Sequence, residues 1–394
     1  MPVPTFDTLK EGRGLTTCKE CLPFILTTGS LTEYLEKYHD GKKKILFFMP
    51  HGYGPCRQGQ YIIMLKDIIK KLNLSNVGVL SMDDENAFDD FGSDFFKKQW
   101  ISMMIADVIH DIENVIFTLA KDKEEAIQIL NNEWSQILNT FEEGKIKNIF
   151  YQLEKSALKL SSIELKTPLS EAKIISLVGE IYVRREEFSR GEVVKYLIDN
   201  GFVVKTAPIT EYVYYTNYML KYNILEKSNL KNKSLLLIKD KVQRKIEKKI
   251  KKILEKSNLY KFEMIDIDKT INFGKHLVSE KLIGEGLLTV GLSMREILDE
   301  ACGVISIGPF NCIPSRLSEA ILNKEMTMEG KYRAMGIEKN GYPDELVILP
   351  FLYVETDGNA FPQITQSKLE IFMLQAEKAH NLLKQKRSVV ENKK

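Results

Sequence analysis

The sequence contains no long hydrophobic run. No apolar stretch approaches the roughly 18 residues that indicate a transmembrane helix. The first residues also lack both the basic segment and the apolar segment of a secretory signal peptide. We therefore expect a cytoplasmic protein that does not enter a membrane.

An excess of charge of either sign is also missing. Lys and Arg together number 56 and Asp and Glu 54, so the formal net charge is +2. A balance this even predicts no general affinity for nucleic acids or for acidic membrane surfaces. The apolar content of 44% and the charged content of 28% are typical of a globular protein, and 394 residues predict two or three domains.

Cysteine is scarce, with five residues in the chain. An odd number of cysteines without a signal peptide does not indicate a disulfide framework, and leaves metal binding, catalysis or simple burial. A Walker A phosphate loop is absent too, because the glycines at Gly284 and Gly286 are not followed by Lys-Ser or Lys-Thr.

Two of the cysteines follow turns of the same design. An apolar strand at 304–307 leads through a Gly-Pro turn to Cys312 and a helix, and a strand at 45–49 leads through a Gly-Pro turn to Cys56 and an amphipathic helix. Each thiol is therefore expected at the carboxyl edge of a strand and at the positive end of a helix, where a thiolate or a bound anion is stabilised. The two turns are expected to face each other across the crevice in which open α/β sheets bind ligands. The alternative is that both are small buried residues in turns.

Cys18 and Cys21 form a Cys-x-x-Cys pair ahead of a helix predicted from about residue 23 to 38. This spacing occurs in metal sites and in redox disulfides alike. Because no strand precedes the pair, as it would in a thioredoxin-type motif, we favour a metal. The remaining cysteine, Cys302, lies just before the strand that leads to Cys312.

The order of predicted elements indicates an α/β protein of two Rossmann-like lobes with parallel sheets and helical insertions. The N-terminal lobe, residues 1–168, includes nearly continuous helix over 95–165, which we expect to pack beside the first sheet. The C-terminal lobe, residues 169–394, carries a helical insertion at about 212–262, whose basic face is either solvated or a docking surface for an acidic partner or coenzyme. Further strands are predicted at 77–80, 174–178, 202–204 and 346–355.

Thiolate ligands select zinc or iron–sulfur clusters. A structural zinc site takes a compact set such as two local Cys-x-x-Cys pairs, whereas this chain has one such pair and its other thiols are far apart. Cys21 and Cys56 belong to the first lobe and Cys312 to the second. Dispersed thiolates at helix N-termini suit a [4Fe-4S] cluster at the junction of the lobes, where the helix ends stabilise its reduced, more negative form.

Six segments resemble the 2-hydroxyacyl-CoA dehydratase D-component superfamily. The resemblance extends from about residue 18 to 378, and it is strongest to the C-terminal region of the large proteins known as CoA-substrate-specific enzyme activases, or activase-related proteins. The segments are KECLPFILTTGSL (19–31), MPHGYGPCRQGQY (49–61), LVGEIYVR (177–184), IGEGLLTVG (283–291), IGPFNCIPSRLSEAIL (307–322) and LPFLYVETDGN (349–359).

The resemblance implies Rossmann-like lobes that hold a [4Fe-4S] cluster at their junction, with Cys21, Cys56 and Cys312 as its thiolate ligands. Cys302 is kept as a reserve fourth ligand, ahead of Cys18. In dehydratases of this superfamily the cluster receives one electron and passes it to a 2-hydroxyacyl-CoA thioester, which then loses its hydroxyl group. Other relatives carry double-cubane clusters and reduce small molecules instead.

The resemblance also implies partners. The large activase-like relatives carry N-terminal ATPase domains of the acetate and sugar kinase type, which this sequence lacks, so we expect a separate ATP-dependent activator of that type to supply the electrons. An acyl-CoA is the substrate that the family suggests. The dehydratases proper are heterodimers, but nothing in this sequence identifies a second subunit, so both a homodimer and a heterodimer stay open.

Three charged residues are candidates for contacts with the cluster or with a substrate: Glu180, Arg57 and Arg316. The simpler interpretation of Glu180 is an ion pair with Arg184 or a solvated side chain. We predict an oxygen-sensitive iron–sulfur protein that passes low-potential electrons to a substrate or a partner. Two alternatives stay open: an electron-transfer or assembly partner that has the cluster but no substrate, and a structural zinc protein or apo scaffold whose thiols are merely buried.

Overall fold

The computed structural model describes residues 3–17, 20–52, 54–81, 92–142, 144–225, 230–338, 342–359 and 362–391. Within these ranges the chain is an α/β protein with two sheets of parallel strands, which confirms the predicted class. None of the helices in the described part of the chain is both long enough and apolar enough to cross a membrane. Cys18 lies outside the described residues, so the structure represents the Cys-x-x-Cys pair by Cys21 alone.

The N-terminal part is a strand–helix–strand unit preceded by two helices. Its elements are α1 (Phe6–Leu15), α2 (Leu22–Tyr38), β1 (Ile45–Phe48), α3 (Tyr61–Lys71) and β2 (Val77–Leu80). Strands β1 and β2 pair in parallel, with Ile45 opposite Val77. Helix α3 buries Leu65 and Ile68 in a core that it shares with α2 and the two strands. The predicted sequence of strand, amphipathic helix and strand is confirmed.

The long helical stretch that follows consists of α4 (Gly92–Leu119), α5 (Lys123–Glu142) and α6 (Ile146–Leu160). These helices share a hydrophobic core with strands and helices from the second half of the chain. The Asn114 amide of α4 also donates a hydrogen bond of 2.9 Å to the carbonyl oxygen of Val204 in the second sheet. Our expectation that they pack beside the first sheet is therefore wrong. The division of the chain at residue 168 stays a prediction.

The second sheet has four parallel strands in the order β4-β3-β5-β6. They are β3 (Lys173–Gly179), β4 (Phe202–Thr206), β5 (Gly303–Pro309) and β6 (Phe351–Thr356). The chain moves from β3 outward to β4, then returns past β3 to form β5 on its other side. The carboxyl ends of β3 and β5 are thus a topological switch point, the place where open α/β sheets bind ligands.

Helices cover both faces of this sheet. Those that follow β3 are α7 (Glu187–Arg190), α8 (Glu192–Asp199), α9 (Thr210–Lys221), α10 (Leu230–Glu255), α11 (Ile267–Gly274), α12 (Glu285–Glu296), α13 (Ile313–Glu325), α14 (Met328–Met335) and α15 (Gln363–Glu391). Val304 of β5 belongs to the core that includes α4–α6 and α9–α12, whereas its neighbour Ile305 belongs to the core formed with α8 and α15. Covered on both faces, the strands read as continuous apolar runs in the sequence.

The N-terminal helices lie against the carboxyl edge of the second sheet. Leu9 and Leu22 pack with Tyr182, which follows β3. Arg13 of α1 donates a hydrogen bond of 3.0 Å to the carbonyl oxygen of Asp357, just after β6. The start of α2, where Cys21 lies, is therefore held near the switch point.

A tight contact between β3 and β5 gives the first testable prediction. Gly179 has a φ of +109°, and a Cβ atom there would lie 2.1 Å from the carbonyl oxygen of Ile307. We expect Gly179→Ala to lower the free energy of unfolding by about 3 kcal/mol, because the strain of the backbone adds to the clash. Urea-induced unfolding followed by circular dichroism measures this change.

Gly201→Ala is the matched control. Gly201 also has a positive φ, +77°, but no atom lies within 4 Å of the Cβ position. The free energy of unfolding of the control variant should fall by about 1 kcal/mol, because only the left-handed backbone is strained there. Equal losses in the two variants would contradict the contact between Gly179 and Ile307.

Candidate functional site

Cys21, Cys56 and Cys312 occupy the same position relative to a helix. Each is the residue directly before the first helical turn, with φ of −75°, −73° and −72° and ψ of 150°, 133° and 119°, respectively. Cys21 precedes α2 and Cys312 precedes α13, and both helices carry proline in the first turn. Cys56 precedes a 3₁₀ turn (Arg57–Gln60) that continues into α3. The predicted strand–turn–helix geometry of Cys56 and Cys312 is confirmed, and each thiol lies at the positive end of its helix.

Backbone contacts bring the turns of Cys56 and Cys312 to the same place. Gly54 has a φ of +78°, and a Cβ there would lie 2.5 Å from the carbonyl oxygen of Ile283. A glycine is needed at this point because the two backbones approach so closely. In the same segment, the Cβ position of Gly284 lies 3.9 Å from the ring of Pro314, two residues after Cys312. Residues 283–284 therefore lie between the two cysteine turns.

A single carboxylate, Glu180, acts on all three thiols. It is the first residue after β3, and its backbone N–H donates a hydrogen bond of 2.9 Å to the carbonyl oxygen of Ile307. Burial raises the pKa of Cys56 to about 12 and that of Cys312 to about 11, and also raises the pKa of Cys21. The negative charge of Glu180 contributes in the same direction for each of the three. The charge of Glu180, at the end of β3, therefore acts on all three thiols.

Hydrogen-bond donors at the helix starts act in the opposite direction. The backbone N–H groups of Phe24 and Gln58 lower the pKa of Cys21 and Cys56, and the hydroxyl and N–H of Ser315 lower that of Cys312. These contributions are smaller than the effect of burial. Each helix start nevertheless directs partial positive charge at a sulfur atom, which is the arrangement that stabilises a thiolate.

The two candidate arginines differ in their contacts, and Arg57 acts on the thiol of Cys21. Its positive charge lowers the pKa of Cys21, as a minor contribution beside burial. Arg316 instead forms surface ion pairs of 2.6 Å with Glu319 and 2.8 Å with Glu355. The structure thus brings Arg57 to the thiol site and leaves Arg316 on an exposed helix face.

The structure does not bring Cys302 together with the other three cysteines. Cys302 is 4% exposed, and its thiol donates a hydrogen bond of 3.2 Å to the carbonyl oxygen of Ile174. It lies at the amino end of β5, whereas Cys312 follows the carboxyl end. Seven strand residues separate them, which corresponds to about 23 Å at the usual rise of a strand. Cys302 is therefore not retained as a reserve fourth ligand.

Two residues at the thiol site, Tyr61 and Glu285, were not predicted from the sequence. The hydroxyl of Tyr61 is in hydrogen-bond contact with the thiol of Cys21. Glu285, the first residue of α12, accepts a hydrogen bond of 3.2 Å at Oε2 from the N–H of Ile181, while its Oε1 is buried and has no hydrogen-bond partner among the described residues. An acidic residue in a first helical turn is common, so the sequence offered no signal that separates Glu285 from an ordinary helix start.

Burial raises the pKa of Glu285 to about 8, and the nearby charge of Glu180 adds to the increase. The charge of Glu285 in turn raises the pKa of both Cys56 and Cys312. Buried carboxyl groups with raised pKa values beside thiols are typical of functional sites. No three Cys, His, Asp or Glu side chains of the described residues form a group that could hold a single metal ion.

A second group of buried charges lies beside β4, the outermost strand on one side of the second sheet. We call it the Lys205 cluster: Lys205, Glu263, Glu296, Arg295 and Asp111 line a cavity of about 70 Å³ beside the end of β4. Lys205 donates hydrogen bonds of 2.8 Å to Glu263 and 2.7 Å to Glu296. Sequence analysis did not foresee this cluster, because its members come from four separate segments.

Asp111 of the Lys205 cluster gives a prediction of pH dependence. Burial raises its pKa to about 7, against the charges of Arg185 and Lys205, which lower it; Asp107 raises it further, and the Thr206 N–H lowers it slightly. The folded protein therefore keeps a proton that the unfolded chain releases above pH 4, so this group makes the protein less stable as the pH rises from about 4 to 7. We expect Asp111→Asn to remove this decline, which amounts to about 4 kcal/mol for a shift of about three pKa units.

Unfolding free energies of the wild type and of Asp111→Asn, measured from pH 4 to 8, test the prediction. The advantage of the variant over the wild type should grow with pH and level off above pH 7. Asp67→Asn serves as control, because Asp67 lies in an exposed ion pair with Lys71 and should keep the wild-type profile. A difference between wild type and Asp111→Asn that does not vary with pH would contradict the prediction.

Comparisons of the chain with protein-family models, with curated proteins and with solved structures found no match. The resemblance carried by the sequence segments therefore remains an expectation.

Proposed function

We propose that this chain is an iron–sulfur protein that binds a [4Fe-4S] cluster through Cys21, Cys56 and Cys312. It resembles the components of 2-hydroxyacyl-CoA dehydratases, and we propose that it accepts low-potential electrons from a separate ATP-dependent activator and passes them to a substrate or partner. The observation that carries the proposal is that three helix-start thiols come from distant segments that contact one another. Tyr61, which follows the turn of Cys56, contacts the thiol of Cys21, and residues 283 and 284 lie against the turns of Cys56 and Cys312.

The residues present fit such a cluster. Three soft thiolate donors suit iron–sulfur chemistry. The iron atoms of a cubane occupy separate corners, so their outer ligands lie farther apart than the ligands of one ion. The lack of a single-ion group among the described residues is therefore compatible with a cubane. The same finding does not favour a compact structural zinc site among the described residues.

The chain supplies the surroundings that such a site requires. A bound cluster provides one-electron transfer at a potential set by its charge, its hydrogen bonds and its exposure to solvent. The helix starts at Cys21, Cys56 and Cys312 present N–H groups to negative charge. The hydroxyl of Tyr61 contacts the sulfur of Cys21 and restricts its position. Partial burial of all three thiols limits the access of water.

The proposed substrate and the proposed electron donor are those that the family resemblance suggests. A 2-hydroxyacyl-CoA is the proposed substrate, and an ATPase of the acetate and sugar kinase type is the proposed electron donor. The crevice outside β3 and β5 is where an open α/β sheet accommodates a ligand, so we propose that the acyl group reaches the cluster there.

Substitution of the thiols tests the cluster. After anaerobic reconstitution with iron and sulfide, the wild type should hold about four iron atoms per chain, with the broad visible absorption of an iron–sulfur protein. Cys21→Ser, Cys56→Ser and Cys312→Ser should each lose most of this iron, because the hard hydroxyl replaces a soft thiolate. Iron and acid-labile sulfide assays measure the loss.

Cys302→Ser is the matched control for these three variants. Its hydroxyl can still donate to the carbonyl of Ile174, and the residue lies away from the site. The control should reconstitute like the wild type. A wild type without iron and sulfide after reconstitution, or a Cys302 variant that loses iron as the others do, would overturn the ligand set.

Addition of substrate separates an enzyme from an electron carrier. The electron paramagnetic resonance spectrum of the reduced protein should change when a 2-hydroxyacyl-CoA is added, because a ligand near the cluster alters its surroundings. Free CoA is the control for effects of the nucleotide portion. A spectrum that no acyl-CoA changes would exclude the dehydratase-like activity and leave the carrier function.

A further inference from the structure

We infer that Glu285 is the fourth protein ligand of the cluster site, binding iron through its Oε1 atom. The inference rests on the proposed function, since it names the residue that completes the same site. It assigns a site-differentiated cluster, in which three iron atoms are held by thiolates and one by a carboxylate oxygen. Two observations lead to this assignment: the position of Glu285 and the state of its side chain.

The position of Glu285 is fixed by its neighbours on both sides. The preceding residues, Ile283 and Gly284, lie between the turns of Cys56 and Cys312. The following residue, Gly286, has its Cβ position 3.6 Å from the carbonyl oxygen of Pro314. Residue 285 is therefore held where the two cysteine turns meet.

The side chain of Glu285 is anchored at one oxygen only. Its Oε2 accepts a hydrogen bond of 3.2 Å from the N–H of Ile181, which ties it to the segment after β3. Its Oε1 is buried, and the described residues provide it with no hydrogen-bond partner. A buried carboxylate oxygen without a partner is costly to the folded state, by about 1–3 kcal/mol. A metal ion at that position would satisfy this oxygen.

Glu180 and Cys302 are less suited to this role. The carboxylate of Glu180 already accepts a hydrogen bond of 2.8 Å from the N–H of Val183, and it has no unsatisfied buried oxygen. Cys302 lies at the amino end of β5, away from the thiol site, and its thiol is hydrogen-bonded to the carbonyl oxygen of Ile174. Among the described residues, Glu285 thus combines the right place with a free buried donor atom.

A carboxylate ligand has a chemical consequence. Oxygen is a harder donor than thiolate, and it binds iron in a cluster more weakly. An iron held by Glu285 would then be more open to an incoming ligand than one held by a thiolate. Glu285 would therefore control the access of exogenous ligands to the cluster.

Substitution of Glu285, read out by spectroscopy, tests the inference. The full chain is reconstituted anaerobically with ⁵⁷Fe, and Mössbauer spectra are recorded for the wild type, Glu285→Gln and Glu285→Cys. The wild type should show one iron that differs from the other three. Glu285→Cys should make that iron resemble the others, because all four ligands are then thiolates. Cyanide added to the reduced protein should shift the paramagnetic resonance spectrum of Glu285→Gln at a concentration at least tenfold lower than for the wild type.

Glu285→Gln keeps the size and the hydrogen-bonding capacity of the side chain, so it separates ligation from simple hydrogen bonding. If this variant matches the wild type in its Mössbauer spectrum and in its response to cyanide, Glu285 is not a ligand and the inference fails. Glu300→Gln is the matched control, because Glu300 pairs with Lys261 away from the thiols, and it should behave as the wild type does.

The outcomes also separate this inference from the proposed function. A wild type that takes up no cluster contradicts the proposed function itself. A wild type that binds a cluster whose four iron atoms are equivalent, or whose unique iron is unaffected by both substitutions, contradicts only the role of Glu285.

Discussion

The close pairing of β3 with β5 at their carboxyl ends is the constraint on which the site depends. The register places Gly179 opposite Ile307, and the N–H of Glu180 is bonded to the Ile307 carbonyl. A side chain at position 179 would push these strands apart. Because the chain reverses across the sheet at this point, Glu180 and the turn that carries Cys312 follow the carboxyl ends of two neighbouring strands.

The N-terminal part completes the site through backbone contact rather than through a continuous sheet. Its two strands form a separate sheet, so no strand pairing fixes the position of Cys56. The approach of Gly54 to the carbonyl of Ile283 does so instead, while α1 and α2 pack on the residues that follow β3 and β6. Cysteines from distant parts of the chain thereby acquire a common environment without a covalent link.

The cysteine turns could be predicted because local sequence specifies them. The long-range packing of the helices could not. A β-branched run, a Gly-Pro turn and an amphipathic helix specify Cys312 and Cys56 within about twenty residues each, and the structure has these elements. The packing of α4–α6 was predicted wrongly, because an apolar helix face does not say which sheet it covers. Glu285 and the Lys205 cluster were missed for a related reason: burial of a charge depends on segments that the surrounding sequence does not reveal.

The balance of charge at the thiol site explains why we favour a multi-iron cofactor. Three thiolates beside Glu180 and Glu285 would place several negative charges in partly buried positions, and burial already raises the pKa of both carboxyl groups. Arg57 acts against this at Cys21, and Arg184 does so at Glu180 and Glu285. Helix starts add only partial charges. Thiols with pKa values of about 11 and 12 at Cys312 and Cys56 keep their protons at neutral pH unless a cation replaces them. The protein thus supplies donors and orientation, and the iron ions of a cluster would supply the missing positive charge.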